Sequence, residues 1–193
     1  MRLLEILIPS VPERAEKLKA LKANLMNQIL ASELDISIST YVTESFVRGG
    51  LKIGNKRQHL VQNANAEYVV FIDDDDFVTD DYIYQIVTAL ESKPDVITFN
   101  GNITTDGREH RRWEIKVGND YIEANNIYYR PPNHMCPIKT EIAKFVGYNS
   151  DLSIEEDYDY CVRLKNSNLI KNSIHINKDL YHYDYKTTNK IYK

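Results

Sequence analysis

Apolar positions along this chain recur with two different periods, and the switching between them lays out the fold. Residues 3–8 form a short apolar run ended by Pro9, as a buried strand does. Ser10-Val11-Pro12-Glu13 has the Ser-x-x-Glu form of a capping box and predicts a helix over residues 12–31. In that stretch Leu18, Leu21, Leu25, Ile29 and Leu30 follow a helical spacing and give one core-facing stripe. Residues 36–43 alternate instead, with Ile36, Ile38, Thr40 and Val42 on one face of a second strand. A loop through Gly49 and Gly50 leads to a helical segment at 53–65. The uninterrupted apolar run Tyr68-Val69-Val70-Phe71-Ile72 then suits a central strand covered on both faces. Thr79 can cap a helix at 80–91, whose first turn carries Asp80 and Asp81 where the helix dipole favours anions, and residues 96–99 read as another strand.

Strand and helix thus alternate through residue 100, which predicts a mostly parallel sheet flanked by helices, with ligands at the carboxyl ends of its strands. The second half is patterned in shorter pieces. Residues 115–117, 127–129, 173–176 and 180–185 read as strands, and 139–146 and 153–166 as helices. No repeat or linker composition divides the chain, so a single α/β domain over residues 1–193 is expected.

Composition narrows the class. A hydrophobic content of 42% and a charged content of 27% are those of a globular protein. A net charge of −4 argues against general nucleic-acid binding or attachment to an anionic membrane, although Arg108, His110, Arg111 and Arg112 form a local basic group. Cys136 and Cys161 make neither a disulfide framework nor a metal-ligand spacing, and two free thiols point to a reducing compartment. The N-terminal apolar run is too short for a signal peptide and no later one could span a bilayer, so a cytoplasmic protein without a transmembrane segment is expected.

Asp73-Asp74-Asp75-Asp76 changes the picture most. Four carboxylates directly after a buried strand crowd like charges together, which raises some of their pKa values unless a cation compensates. Magnesium and manganese accept such hard oxygen ligands. A solvated acidic turn is the alternative. Lys56 and Arg57 oppose the dipole of the helix they begin, at a cost of about 0.3–1 kcal/mol each when exposed, which a nearby diphosphate or the aspartates themselves would offset.

Phe71-Ile72-Asp73-Asp74-Asp75-Asp76, preceded by Ala66-Glu67-Tyr68-Val69-Val70, resembles the strand and Asp-x-Asp motif of GT-A-fold glycosyltransferases, in particular the inverting enzymes of glycosyltransferase family 2. The resemblance implies a Rossmann-like mixed, mostly parallel sheet in one compact domain. Residues 1–100 would be its nucleotide-binding half and 101–193 its acceptor-side half. It further implies transfer of a sugar from a nucleotide-diphosphate sugar, a UDP-sugar as first choice, to an acceptor hydroxyl of unstated class. On this likeness Asp75 ligates Mn2+ or Mg2+, with Asp73 and Asp74 on the nucleotide side; the run permits a one-residue shift, which leaves open whether Asp73, Asp75 or Asp76 is the principal metal ligand. Pro9, Ser10 and Arg14 match the segment that receives the nucleotide, Glu44 stands nearest to the acid that meets the base, and Lys56-Arg57 occupies the position of a basic pair. Ile154-Glu155-Glu156-Asp157 resembles the acidic motif that begins the acceptor-side helix, making Asp157 the general base, although Ser153-x-x-Glu156 is also a capping box. His182 is the candidate for a C-terminal histidine in the metal shell, with His175 and His134 as competitors. Residues 130–137 lack the glycines usual at that place, and Trp113 suits either a sugar platform or the core. A sugar-phosphate nucleotidyltransferase is a rival, but the turn after the first strand is not the Gly-rich phosphate loop it would want. A catalytically idle nucleotide-sugar-binding module is the third reading.

Overall fold

The computed structural model describes residues 2–45 and 48–187. Its first strand, β1 (Leu4–Ser10), is buried along its whole length. The one acid within it, Glu5, accepts hydrogen bonds from the Ser39 hydroxyl and the Asn65 backbone N–H, so the buried carboxylate has partners. A short 3-10 segment at Pro12–Arg14 precedes α1 (Ala15–Ser32), and neither start has a side-chain cap. Ser10, expected to cap, bonds Asp74 instead. Leu21, Leu25 and Ile29 form the buried stripe of α1. Leu30 departs from the expected stripe: it lies roughly 100° further round the helix and is 71% exposed.

β1 pairs in parallel with both β2 (Ile36–Val42) and β3 (Tyr68–Phe71), so the N-terminal strand lies in the middle of a parallel core. The connections are helical, by α1 and by α2 (Ile53–Asn63), as parallel neighbours require. β4 (Phe77–Val78), α3 (Tyr82–Leu90) and β5 (Val96–Thr105) complete the first half. The second adds β6 (Arg108–Ile115), β7 (Ile122–Ala124), β8 (Ile127–Arg130), β9 (Ile138–Lys139), α4 (Thr140–Val146), α5 (Glu156–Ser167) and β10 (Ser173–Tyr185). The sheet order is β2-β1-β3-β9-β5-β6-β8-β7. β10 runs parallel to β5 along the other edge and also pairs with β4, and most of the paired residues in the sheet run parallel.

Two strands are longer than the sequence pattern predicts. β5 continues beyond Phe99 through Asn100-Gly101-Asn102, where Asn100 bonds Asn177 and Asn102 bonds Asp179 across to β10. Gly101 permits this close packing: a Cβ there would stand 2.1 Å from the Trp113 ring and 2.3 Å from the Tyr181 carbonyl. The two C-terminal strand pieces are one strand, β10, interrupted by register shifts on either side of Asp179. A continuous apolar core joins the halves, with Leu7, Phe71 and Phe99 beside Trp113, Tyr160 and Tyr181. No helix among the described residues is long and apolar enough to cross a membrane.

Candidate active site

The carboxyl ends of β1 and β3 meet at the aspartate run. Asp74 is buried there; its carboxylate accepts a 2.6 Å hydrogen bond from Ser10 Oγ and one of 2.9 Å from Arg14 Nη1. Arg14 also lies 3.0 Å from Asp75 Oδ1. Burial pushes the Asp75 carboxyl up; Arg14 opposes this, while Asp73 and Asp74 add to it. Asp76 is buried more deeply. Burial first, then the charge of Asp73, holds it well above the ordinary carboxylate range, although Tyr181 donates a 2.6 Å hydrogen bond to it.

Arg57 supplies the counter-charge for Asp73. Its Nη2 donates to both Asp73 oxygens, at 2.8 and 3.1 Å, and its Nε donates to Glu156 Oε1 at 3.1 Å. Burial opposes the guanidinium charge, but Asp73 and Glu156 more than offset this and keep it firmly protonated. Asp73 shows the counterpart: burial pushes it up, yet Arg57 and then His134 hold it well below the usual range. Arg57 also lies 5.2 Å over the ring of Phe71, which meets Tyr148 edge-on, and Tyr148 stacks on Tyr160 of α5. Aromatic packing and a forked ion pair therefore fix α5 against the end of β3.

That arrangement explains the start of α5. Glu155 adopts a left-handed conformation, φ 63°, which costs a residue with a Cβ roughly 1–2 kcal/mol. Glu156 follows with its carboxylate turned in to Arg57. No capping box forms with Ser153, because the partner of Glu156 is a buried guanidinium rather than a backbone N–H. Asp157 comes next and lines the same cavity as Asp73, Asp74 and Asp76, an opening of about 690 Å³. Pro9, Arg14 and Arg57 also line it, with His134, Trp113, Tyr128, Arg130 and Tyr183 on other parts of the wall.

Five of the expected site residues stand elsewhere: Ser10 is buried, with its hydroxyl bonded to Asp74, and does not line the cavity. Lys56 is buried next to Arg57, but its ammonium donates 2.9 Å hydrogen bonds to the Ser10 and Thr43 carbonyls and ties the ends of β1 and β2 together. Glu44 is exposed beyond β2 and does not line the cavity. Asp75 likewise turns to Arg14 rather than to the cavity wall. His182 faces the wrong way. Side chains alternate along β10, and Tyr181, bonded to Asp76, takes the cavity-side parity with Tyr183 and Tyr185. His182 points to Thr104, 3.3 Å from Nε2, beside Phe77 and His110. His175 bonds Thr98 outside the cavity. His134 is the histidine at the aspartates: its Nε2 lies 3.8 Å from Asp73 Oδ2, and its buried Nδ1 has no partner among the described residues.

The donor chemistry of the site fits a divalent cation. Asp75 and Asp76 are carboxyls raised by burial and neighbouring negative charge, the condition a cation relieves. Among the described residues no three His, Cys, Asp or Glu groups converge in a metal-holding cluster. Magnesium-type ions bound through one or two carboxylates and completed by substrate phosphates need no such cluster. Arg57 Nη1 is buried beside the cavity and has no hydrogen-bond partner among the described residues.

A parallel β2-β1-β3 core with an acidic loop at its carboxyl end, closed by a second half that brings a carboxylate opposite, is the architecture of a GT-A glycosyltransferase domain. The family model described as "Glycosyl transferase family 2" matches residues 46–153, more than half of the chain, and the chain belongs to that family. Among solved structures it is similar to residues 1–349 of S. aureus TarS in complex with UDP-GlcNAc, with a TM-score of 0.65 and 15% identity over 95% of this chain and 58% of that one. The TarS complex with UDP gives a TM-score of 0.66 and 14% identity over 95% and 60% of the two chains. The catalytic domain of Drosophila beta1,4galactosyltransferase 7, in complex with xylobiose, gives 0.57 and 13% over 93% and 69%. Identities this low show a shared fold, and the chain spans 37–60% of the TarS chains it matches. No curated protein matches the sequence.

Proposed function

We propose that this chain transfers a sugar from a nucleotide-diphosphate sugar to an acceptor hydroxyl, with inversion and with Mn2+ or Mg2+ as cofactor. The observation that carries this reading is one cavity lined by Asp73, Asp74 and Asp76 on one side and by Asp157 on another, with Arg57 bonded to both Asp73 and the neighbour of Asp157. Residues 1–100 would hold the donor, with Pro9, Ser10 and Arg14 beside the nucleotide and the unpartnered Arg57 Nη1 directed to the diphosphate. UDP is the preferred nucleotide, since the TarS complexes hold UDP and UDP-GlcNAc. Residues 101–193 would receive the acceptor; those from 188 on lie outside the described residues.

Asp157 takes the proton of the acceptor hydroxyl as its oxygen forms a bond to the anomeric carbon. The bond from that carbon to the diphosphate breaks on the opposite face, and the nucleoside diphosphate leaves with the bonding pair. A base at hydrogen-bond reach contributes about 10²–10⁴-fold to such a step. Asp76, which lines the cavity, would hold the cation, joined by Asp75 once it turns from Arg14, with Asp73 and His134 behind them, and when bound the cation would neutralise charge on the leaving diphosphate. Asp73 is fixed by Arg57 and orients the loop. The buried thiols Cys136 and Cys161, both free, support a reducing compartment and hence a cytoplasmic site of action.

Purified protein incubated with a panel of nucleotide sugars and Mn2+ should release nucleoside diphosphate from at least one, lose that activity to a chelator, and give a product of inverted anomeric configuration by NMR. No donor binding or turnover across the panel sinks the reading; activity indifferent to chelator removes the metal from it.

A further inference from the structure

We propose that the acceptor carries an oxyanion, a phosphate or a carboxylate, and that Arg130 is the residue that binds it. The proposal rests on the acceptor-side reading of the cavity given above. Three guanidinium groups line this cavity, those of Arg14, Arg57 and Arg130. Arg14 is paired with Asp74 and Asp75, and Arg57 with Asp73 and Glu156. Arg130 has no carboxylate partner among the described residues. Its hydrogen bonds run from Nη1 alone, to the carbonyls of Tyr129 at 2.8 Å and Ile122 at 3.4 Å. Nη2 and Nε are thus left as a fork of donors, the geometry that matches a carboxylate or phosphate edge.

The fork is also held in place. The Arg130 guanidinium lies 5.0 Å from the ring centroid of Tyr121 and 4.9 Å from that of Tyr128, so two cation–π contacts fix a side chain that would otherwise lose rotamer freedom on binding. Tyr121 stands close to the proposed base: its ring meets that of Tyr158, the residue after Asp157, edge-on at 5.0 Å. Arg130 therefore belongs to the Asp157 end of the cavity, away from the aspartate loop. Tyr128 is also the wall of a second cavity of about 250 Å³, where Arg111 sits 5.2 Å over the same ring, so an acceptor longer than one unit has room to continue. In a chain of net charge −4, a cation without a counter-charge in the substrate cavity selects for negative charge in what enters.

The test uses the full chain saturated with UDP and Mn2+ and follows binding of glycerol 3-phosphate, galacturonate and glycerol by NMR at fixed ionic strength. At least one of the two anions should bind while glycerol does not, and which of them does identifies the oxyanion. Arg130→Gln should weaken that binding by about tenfold or more and leave UDP affinity unchanged. Arg130→Lys should recover only part of it, because an ammonium has no fork, and as a charge-preserving variant it serves if Arg130→Gln does not fold. Glycerol binding as well as the anions, neither anion binding, or undiminished affinity in both variants overturns the proposal. Anion binding through Arg130 in a chain with no affinity for UDP would instead overturn the nucleotide-sugar reading and leave the oxyanion site standing.

Discussion

At the aspartate end of the cavity every carboxylate already has a protein partner. Asp73 faces Arg57, Asp74 faces Ser10 and Arg14, Asp75 shares Arg14, and Asp76 takes the Tyr181 hydroxyl. At the opposite end, between β6, β8 and the start of α5, the wall is aromatic: Trp113, Tyr121, Tyr128 and Tyr183 surround one unpaired guanidinium and the Asp157 carboxylate. The first end spans strands of fixed parallel register and is preorganised by ion pairs. The second is built on β6 and β8, each paired on both sides, and its spare hydrogen-bonding capacity is that of the Arg130 side chain. A matched end suits a ligand that brings its own charge and cation; an unmatched end suits one that supplies what is missing. The two meet at Tyr181, which bonds Asp76 and packs against Trp113, at the loop that holds α2 against α5, and at Arg57.

Removing that link should have the largest effect. Arg57→Met leaves Asp73 and Glu156 as buried carboxylates without their counter-ion, a situation that costs about 3–5 kcal/mol. Urea unfolding should show the loss as a lower midpoint, and donor turnover should vanish with it. Arg57→Lys, which cannot reach both carboxylates as a fork does, should recover only part of either. A stability loss below about 1 kcal/mol would mean that the two ends are joined by something else.

Asp157→Asn tests the acceptor end alone. Turnover should fall by about 10²–10⁴-fold with UDP affinity and melting temperature nearly unchanged, because Asp157 lines the cavity and, among the described residues, its carboxylate accepts a hydrogen bond only from the adjacent Tyr158 N–H. Unaltered turnover removes Asp157 as the base.

The backbone link is weaker and more local. α2 begins against the loop before α5: the Gly54 N–H donates to the Leu152 carbonyl at 3.0 Å, and a Cβ on Gly54 would come 2.1 Å from the Asn149 carbonyl oxygen. Gly54→Ala must therefore move α2 or that loop, at a cost of about 1–3 kcal/mol. Since Arg57 follows one turn later, kcat should drop further than KM rises. A variant with wild-type kcat would show that the two ends tolerate relative movement.

The same contrast explains what the sequence revealed. The first half could be read because its strands are apolar runs or clean alternations separated by helices; Tyr68–Phe71 is buried at every position, as an uninterrupted run in a parallel core should be. The continuation of β5 past Phe99 and most of β6 could not. Asn100-Gly101-Asn102 and Arg108-Glu109-His110-Arg111-Arg112 read as polar, and they become strands only because side chains of β10 satisfy them: Asn177 bonds Asn100, and Asp179 bonds Asn102 and Arg112. Acid-rich site segments are visible as composition, whereas a partner 99 residues away is not, so Glu156 read as a cap and proved to be the partner of Arg57. Lys56 and Arg57 are adjacent in the chain but about 100° apart on the helix, and only Arg57 reaches the cavity.

His182 carries the last and smallest prediction. The parity of β10 is set by register against β5 and β4 across a shift beside Asp179. The alternating Tyr181, Tyr183 and Tyr185 held the relevant signal, since three large amphipathic side chains on one face mark that face as the one meeting the polar cavity. With His182 turned to Thr104, its replacement by Ala should leave Mn2+ affinity in the presence of UDP unchanged and cost no more than about 1 kcal/mol in stability. His134→Ala, 3.8 Å from Asp73 in the wild type, should weaken Mn2+ binding measurably under the same conditions. The reverse ranking in a Mn2+ titration followed by EPR would mean that β10 shifts its register when the donor binds. The matched end would then be matched only while it is empty.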